Sequence, residues 1–237
     1  MKPLAVALVS GGMDSCVAAA VAEREFRLFL LHIRYGQRTE LKELDCFQRI
    51  ADHYRPEKNL ILRLDYLSVI GGSSLTDVTV PVPESDPNRT DIPSTYVPFR
   101  NAGFLAAAVS WAEVTGAEAV FIGAVEEDSS GYPDCRESFF SAFQGAVRTG
   151  TRTGHVNIRT PLLHMTKAEI VRLGISLNAP LHHTWSCYRR MDAACGTCAS
   201  CVLRIRGFEG AGIKDPIQYL DHLTPDGSAM SPSRIIQ

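Results

Sequence analysis

LAVALVSGGMDS, residues 4–15, joins a short apolar run to a turn of two glycines and then to a helical pattern. The run at 4–9 is continuously apolar, as in a strand that is buried on both faces. The glycines allow a tight turn, and the pattern from Asp14 to Glu25 indicates a helix. The stretch therefore predicts the first strand–turn–helix unit of an α/β domain.

Further apolar runs alternate with helical patterns along the chain. The predicted strands are 28–33, 59–64, 118–123 and 156–160, and the predicted helices are 39–53, 104–115, 137–148 and 166–173. Continuous apolar strands separated by helices indicate a parallel sheet covered on both faces. We predict a Rossmann-like open parallel sheet with helices on both faces, formed by a nucleotide-binding domain at residues 1–180.

Two stretches break this alternation. Residues 66–98 are rich in glycine and proline, and we predict a long irregular loop with a functional role. From about Pro180 the chain becomes cysteine-rich and irregular. We predict that residues 181–237 form a small C-terminal zinc-binding segment and a tail.

Composition excludes several classes of function. The chain has 237 residues and a formal net charge of −2, which argues against a nucleic-acid partner because such proteins usually carry a basic surface. It contains no apolar run of about 20 residues and no signal-peptide pattern, so we expect a cytoplasmic protein with no membrane partner. In a reducing compartment the seven cysteines are expected to be thiols or metal ligands.

The glycine turn is typical of an anion site. Several backbone N–H groups converge where a strand ends and a helix begins, and the helix dipole adds positive potential. Gly11 and Gly12 allow close approach of the backbone, and Ser10 and Ser15 add hydroxyl donors. The stretch matches neither the Walker A loop nor the dinucleotide G-x-G-x-x-G pattern. A tight turn without a ligand is the alternative for this stretch.

Four cysteines near the C-terminus have the spacing of a metal site. Cys187, Cys195, Cys198 and Cys201 follow the pattern C-x7-C-x2-C-x2-C. Four thiolates suit a structural Zn²⁺ ion, and an iron–sulfur cluster or a redox pair are the alternatives. The remaining cysteines are predicted to be core residues, although Cys135 lies in a polar loop where a nucleophilic role is an alternative.

Three polar loops follow predicted strands or precede a predicted helix. They are YGQRT (35–39), TYVPFRN (95–101) and EEDSSGYPDCR (126–136). The carboxyl ends of strands in an open α/β sheet lie at one edge, where such folds bind their ligands. We therefore expect these loops to converge on one site.

These motifs resemble known families. SGGMDS resembles the PP-loop of the ATP pyrophosphatase superfamily, whose fold is adenine nucleotide alpha hydrolase-like and which splits ATP to AMP and pyrophosphate. Together with YGQR, TYVPFRN, SGYPDC, TPLLHMTKAEIV and CGTCASCVLR, it resembles the 7-cyano-7-deazaguanine synthases, the nitrile-forming enzymes of queuosine biosynthesis. The resemblance extends from about residue 4 to Pro216.

The resemblance implies a C–N bond-forming ligase. The family converts 7-carboxy-7-deazaguanine and ammonia to the nitrile through an acyl adenylate and an amide, with ATP as the activating substrate. It also implies Zn²⁺ at the four cysteines, Mg²⁺ with the pyrophosphate, and a homodimer. The chain departs from the family pattern at Thr39, Ser129 and 123–128, which puts the identity of the acid or amine in question.

The same resemblance implies that Ser10, Gly11, Gly12, Asp14 and Ser15 bind the phosphates of ATP. Asp14 is expected near the metal or the phosphates, and Lys167 is expected to neutralise phosphate charge. Arg38 and Arg100 are candidates to clamp a carboxylate or a phosphate through two-point hydrogen bonding.

On the substrate side, Asp128 or Asp134 is expected to accept hydrogen bonds from the guanine-like edge of the base. Tyr132 is expected to stack on its ring.

Three other functions stay open from the sequence. The first alternative is a related ligase that stops at the amide or couples the activated acid to another amine. A tRNA-modifying sulfur transferase of the same superfamily predicts a basic surface and a catalytic cysteine pair. A zinc-binding interaction module without enzymatic activity leaves the phosphate loop unexplained.

Overall fold

The central element is a parallel sheet of five strands. The computed structural model describes residues 1–86, 91–126 and 131–220, together with the backbone of 222–223 and 229–230. The sheet strands are β1 (Leu4–Leu8), β2 (Arg27–Arg34), β3 (Lys58–Arg63), β4 (Ala119–Phe121) and β5 (Asn157–Arg159). Their order is β3-β2-β1-β4-β5, and every neighbouring pair is parallel.

Seven helices accompany the sheet within the described residues. They are α1 (Met13–Glu23), α2 (Glu40–Tyr54), α3 (Tyr66–Ile70), α4 (Arg100–Thr115), α5 (Glu137–Gly150), α6 (Lys167–Ser176) and α7 (Ala199–Ala211). Pro133–Cys135 and Leu181–His183 form short 3-10 turns. A two-residue antiparallel pair, β6 (His222–Leu223) and β7 (Ala229–Met230), lies near the C-terminus. None of the described helices has the length and apolar character needed to cross a membrane.

The strand order reverses direction at β1. The chain runs outward from β1 to β2 and β3, and then returns to place β4 on the other side of β1. Open α/β sheets bind ligands at such a switch point, outside the carboxyl ends of the strands. The glycine turn after β1 lies at this point.

Helices cover both faces of the sheet, which confirms the predicted architecture. In β1 the side chains alternate: Val6 and Leu8 belong to the core beneath α4 and α5. Ala5 and Ala7, with Val9 just after the strand, belong to the core beneath α1 and α2. Because successive strand residues point to opposite faces, a strand buried on both faces must be apolar throughout, as this run is.

The predicted elements are largely confirmed, with three corrections. The stretch predicted as an irregular loop contains α3, and α4 begins at Arg100 instead of residue 104. The C-terminal segment, predicted to be irregular, contains the 13-residue helix α7. The predicted capping box at the start of α6 is present, with Thr166 and Glu169 each bonding the other's backbone.

Helix α7 packs closely on α6 through a glycine. A Cβ added at Gly207 would lie 2.8 Å from Lys167 Cβ, a separation that real side chains do not adopt. The cysteine-rich segment is therefore packed against the helix that begins with Lys167.

Candidate functional site

The phosphate loop is the turn between β1 and α1. Gly11 has a φ of 92°, which is the left-handed region that glycine adopts without strain. Ser15 Oγ donates to the Gly12 carbonyl at 2.9 Å and lies 3.1 Å from Ser10 Oγ. The N–H groups of a helix's first turn have no partner within the helix, so the start of α1 offers donors to an anion.

The chain just after β4 approaches this loop so closely that no side chain fits between them. A Cβ added at Gly123 would lie 2.7 Å from the carbonyl atoms of Asp14 and the backbone nitrogen of Ser15. Gly123 follows β4, so the two strands at the switch point together fix the position of the loop.

Gly11→Ala is expected to destabilise the protein by about 2–4 kcal/mol, because it combines left-handed strain with a steric overlap. The added Cβ would overlap the carbonyl oxygen of Glu43 on α2. The measurement is the midpoint of denaturant unfolding. Gly145→Ala is the control, since Gly145 lies in α5 with nothing within 4 Å of the added Cβ, and it should be neutral or stabilising. Equal midpoints for the two variants would contradict the proposed strain.

A charged pair lies beside the phosphate loop. Lys167 Nζ is 2.8 Å from Asp14 Oδ2, and the lysine side chain is only 13% exposed. The other carboxylate oxygen, Asp14 Oδ1, is buried and has no hydrogen-bond partner within the described part of the chain. The structure thus brings together a cation suited to phosphate and an oxygen suited to a divalent metal ion.

The loop forms part of a cavity of about 470 Å³. This volume lies in the range of small-molecule sites, about 300–1,000 Å³. Its wall includes the phosphate loop, Lys167, Arg100, and the aromatic side chains of Tyr35, Phe104, Tyr132 and Tyr188. The three polar loops predicted to converge each contribute residues to this cavity.

Arg100 is the cation on the aromatic side of the cavity. Its Nη1 donates to the Tyr35 hydroxyl at 3.3 Å, and its guanidinium carbon lies 5.6 Å from the centre of the Phe104 ring. Its Nε is buried and lacks a hydrogen-bond partner among the residues that the structure describes. A buried guanidinium with an unused donor fits a ligand carboxylate or phosphate.

Tyr132 and Tyr188 provide neutral hydroxyls. Burial raises the pKa of both phenols, so neither ionises near neutral pH. Tyr132 is held by a 2.7 Å hydrogen bond between its hydroxyl and Thr95 Oγ1, and its ring lies 5.4 Å from that of Tyr96. This arrangement presents a fixed aromatic surface to the cavity.

Two of the expected substrate-binding residues, Arg38 and Asp134, form hydrogen bonds with backbone groups of the protein. Arg38 lines the cavity, but its guanidinium donates to the carbonyls of Ser74, Asp77 and Val80, at 2.6, 2.9 and 2.5 Å. The side chain therefore holds the loop that follows α3.

Asp134 is buried outside the cavity wall, and its carboxylate accepts the Asn101 N–H at the start of α4 at 2.9 Å. This bond caps the helix that carries Arg100. Asp128 lies outside the described residues.

The four cysteines form the predicted cluster. The sulfurs of Cys187, Cys195, Cys198 and Cys201 all lie within 4.8 Å of one another, and those of Cys195 and Cys201 are 3.9 Å apart. A tetrahedral ion with bonds of about 2.3 Å places its sulfurs about 3.8 Å apart, whereas an iron–sulfur cluster separates them further. The cluster therefore fits one tetrahedral metal ion.

Backbone N–H groups support the cluster. Those of Arg189 and Cys195 donate to Cys187 Sγ, and that of Cys198 donates to Cys195 Sγ, each at 3.4 Å. Such donors stabilise thiolates and fix the direction of the sulfur atoms. The zinc expectation thus fits the donor set.

Arg204, on α7, is a site residue that the sequence analysis missed. It is 1% exposed, and it donates to both carboxylate oxygens of Asp215, at 2.8 and 2.9 Å, and to Thr184 Oγ1 at 2.7 Å. Trp185 follows Thr184 in the chain, and its backbone N–H donates to the Gly11 carbonyl at 2.9 Å. The arginine therefore links the cysteine-rich segment to the phosphate loop, but no local pattern in the sequence indicates its partners.

Known proteins resemble this chain over most of its length. A family model described as "Queuosine biosynthesis protein QueC" matches residues 4–212. A Chlorobaculum parvum protein named 7-cyano-7-deazaguanine synthase is 56% identical over 217 residues, covering 91% of this chain and 96% of the relative. Proteins of the same name from Chlorobium luteolum and Acidobacterium capsulatum are 57% and 53% identical, with the same coverage of both chains.

Proposed function

The chain belongs to the QueC family of queuosine-biosynthesis proteins, and we propose that it converts 7-carboxy-7-deazaguanine and ammonia to 7-cyano-7-deazaguanine with consumption of ATP. One observation carries this proposal. A single cavity has a phosphate loop with the Asp14–Lys167 pair on one side and the buried cation of Arg100 on an aromatic side. A nucleotide and a planar aromatic acid both find complementary groups there.

The reaction needs ATP because a carboxylate oxygen is a poor leaving group. Transfer of the α-phosphoryl group to the acid oxygen gives an acyl adenylate, which ammonia displaces to form the amide. A second ATP activates the amide oxygen, and loss of AMP leaves the nitrile. One cavity serves both rounds, because each round activates an oxygen on the same carbon.

The residues of the chain position the reactants and compensate charge. The amides at the start of α1 and the ammonium group of Lys167 hold the departing pyrophosphate. Arg100 holds the acid's carboxylate through its unused donor, and Tyr132 packs on the ring. Asp14 Oδ1 would hold Mg²⁺, which supplies positive charge to the pyrophosphate.

Several finer expectations accompany this proposal. Zn²⁺ is proposed as the ion at the four cysteines, where it has a structural role because a closed four-thiolate site leaves no position for a substrate. A homodimer and a cytoplasmic location are retained as expectations from the sequence and the family resemblance.

The proposal predicts defined products. Purified protein incubated with 7-carboxy-7-deazaguanine, an ammonium salt, ATP and Mg²⁺ should yield AMP, pyrophosphate and the mass of the nitrile, with two AMP formed per nitrile. Chromatography and mass spectrometry measure all three. Release of ADP in place of AMP would contradict adenylation. A persistent amide without nitrile, or a product that contains another amine, would favour the alternative ligase activities.

A further inference from the structure

One acidic side chain in the cavity has no role in the chemistry described so far. Glu43 lies on α2 and lines the cavity. Its Oε1 accepts the Thr39 hydroxyl at 2.8 Å, and its Oε2 accepts the Gln37 amide at 2.9 Å. Two neutral donors thus fix the carboxylate, and each oxygen keeps a further lone pair for another donor.

The position of Glu43 is fixed by its backbone as well. Its carbonyl oxygen lies so close to Gly11 that no Cβ fits between them. A movement of this part of α2 would therefore displace the phosphate loop. The carboxylate is held in a constant relation to the site where the acyl adenylate forms.

Glu43 and the cation of Arg100 line the same cavity. Burial raises the pKa of its carboxyl group, although the hydrogen bonds from Gln37 and Thr39 and the charge of Arg100 act in the opposite direction. Arg100, which we assign to the carboxylate of the acid, interacts electrostatically with Glu43 across the same cavity. The cavity to which the acid is assigned is therefore also lined by a carboxylate whose oxygens retain lone pairs for a further donor.

We propose that Glu43 binds the ammonium ion and acts as the base that converts it to ammonia in the amide-forming step, an assignment that rests on the proposed function. Glu43 accepts one N–H proton, which frees the nitrogen lone pair. The nitrogen forms the C–N bond while the C–O bond to AMP breaks, and that electron pair leaves with AMP. A second N–H proton passes to the phosphate of the departing AMP, so the amide is neutral.

Glu43→Gln tests this role, because it keeps the shape of the side chain and removes both charge and basicity. With ammonium as the amine, kcat/KM is expected to fall about 10²-fold, in the range of general acid–base catalysis. Hydroxylamine is mostly the uncharged base at neutral pH, so its nitrogen lone pair is already free and needs no base to become nucleophilic. Its conversion to the hydroxamate, measured by the colour with ferric ion, should stay within about threefold of the wild-type value.

Two further variants complete the experiment. Asp45→Asn removes an exposed carboxylate from the same helix, one that pairs only with Arg49 among the described ion pairs, and it should change neither reaction. Glu43→Asp keeps the charge and should retain more ammonium activity than Glu43→Gln. Equal losses with both amines, or unchanged ammonium kinetics in Glu43→Gln, would overturn the assignment. A wild-type protein that forms no AMP would instead refute the proposed function.

Discussion

Lys167→Met is expected to lower kcat/KM for ATP by about 10²–10³-fold, the effect of removing one charge-stabilising group from a transition state. The lysine ammonium group lies 2.8 Å from Asp14 at the phosphate loop and is mostly shielded from water. In such a site a charge is screened weakly, so its interaction with the phosphates is strong. Its loss also leaves Asp14 uncompensated, and that carboxylate then repels the incoming nucleotide.

The rate of pyrophosphate release at varied ATP concentration measures this effect. Lys214→Met is the control, because Lys214 is an exposed lysine near the end of α7 and should retain wild-type kinetics. Asp14→Asn combined with Lys167→Met should cost less than the sum of the two single changes, since residues in direct contact do not act independently. A Lys167 variant within about threefold of wild type would contradict the assigned role.

The phosphate loop could be predicted from the sequence because its signals are local. The apolar strand, the two glycines and the helical pattern lie within one short stretch, and their physical meaning does not depend on distant residues. Gly11 indeed has the positive φ that only glycine adopts without strain. The cysteine spacing is a similar local signal, and the four sulfurs do converge.

Contacts between distant residues could not be predicted in this way. Asp14 and Lys167 are separated by 153 positions, and only the packing of α6 beside α1 brings them together. The sequence identified each residue as a candidate, but it contained no signal for their pairing. Glu43 was missed for the same reason, because nothing in the sequence shows that its carboxylate lines the cavity.

The hydrogen-bond partners of Arg38 and Asp134 could not be predicted from the sequence either. Arg38 and Asp134 have the chemistry to bind a carboxylate or a base, but backbone groups satisfy that chemistry equally well. The guanidinium of Arg38 is used by loop carbonyls, and the carboxylate of Asp134 by an N–H at the start of α4. Residue type and position near a strand end indicate that a side chain forms hydrogen bonds in this region. Only the contacts in the folded protein show whether its partner is a loop backbone.

Helix α7 was missed because its sequence lacks an amphipathic pattern. The helix begins after Cys198, a metal-ligand candidate, and carries the buried Arg204 among apolar residues. A charge inside an apolar face obscures the period of the pattern. Asp215 compensates that charge with two hydrogen bonds, so the helix is stable in a context that the local sequence does not reveal.

Cys198→Ser is expected to abolish metal binding and to lower Tm by about 10 °C or more. Structural zinc contributes about 10–16 kcal/mol in small zinc-binding peptides, and each kcal/mol shifts Tm by about 2–4 °C in a chain of this size. The buried cluster, the loop residues Leu75 and Val82, and Trp185 share one apolar core. Loss of the ion leaves four buried thiols without the interaction that holds this core together.

The loss should extend to the nucleotide site. The backbone N–H of Trp185 donates to the Gly11 carbonyl, so disorder around Cys187 removes a direct support of the phosphate loop. We expect KM for ATP to rise together with the fall in Tm, and we expect chelation of the wild-type protein to reproduce both changes. Metal content by atomic emission, thermal melting and the ATP dependence of pyrophosphate release measure the three quantities.

Cys46→Ala is the matched control for metal content, because Cys46 is buried in the same apolar core but is not one of the four metal-ligand candidates. It should keep its metal, since none of the four ligands changes. A Cys198 variant that lacks the metal but keeps both the wild-type Tm and KM for ATP would show that the phosphate loop does not depend on this segment. The hydrogen bond between Trp185 and Gly11 would then have no energetic importance for nucleotide binding.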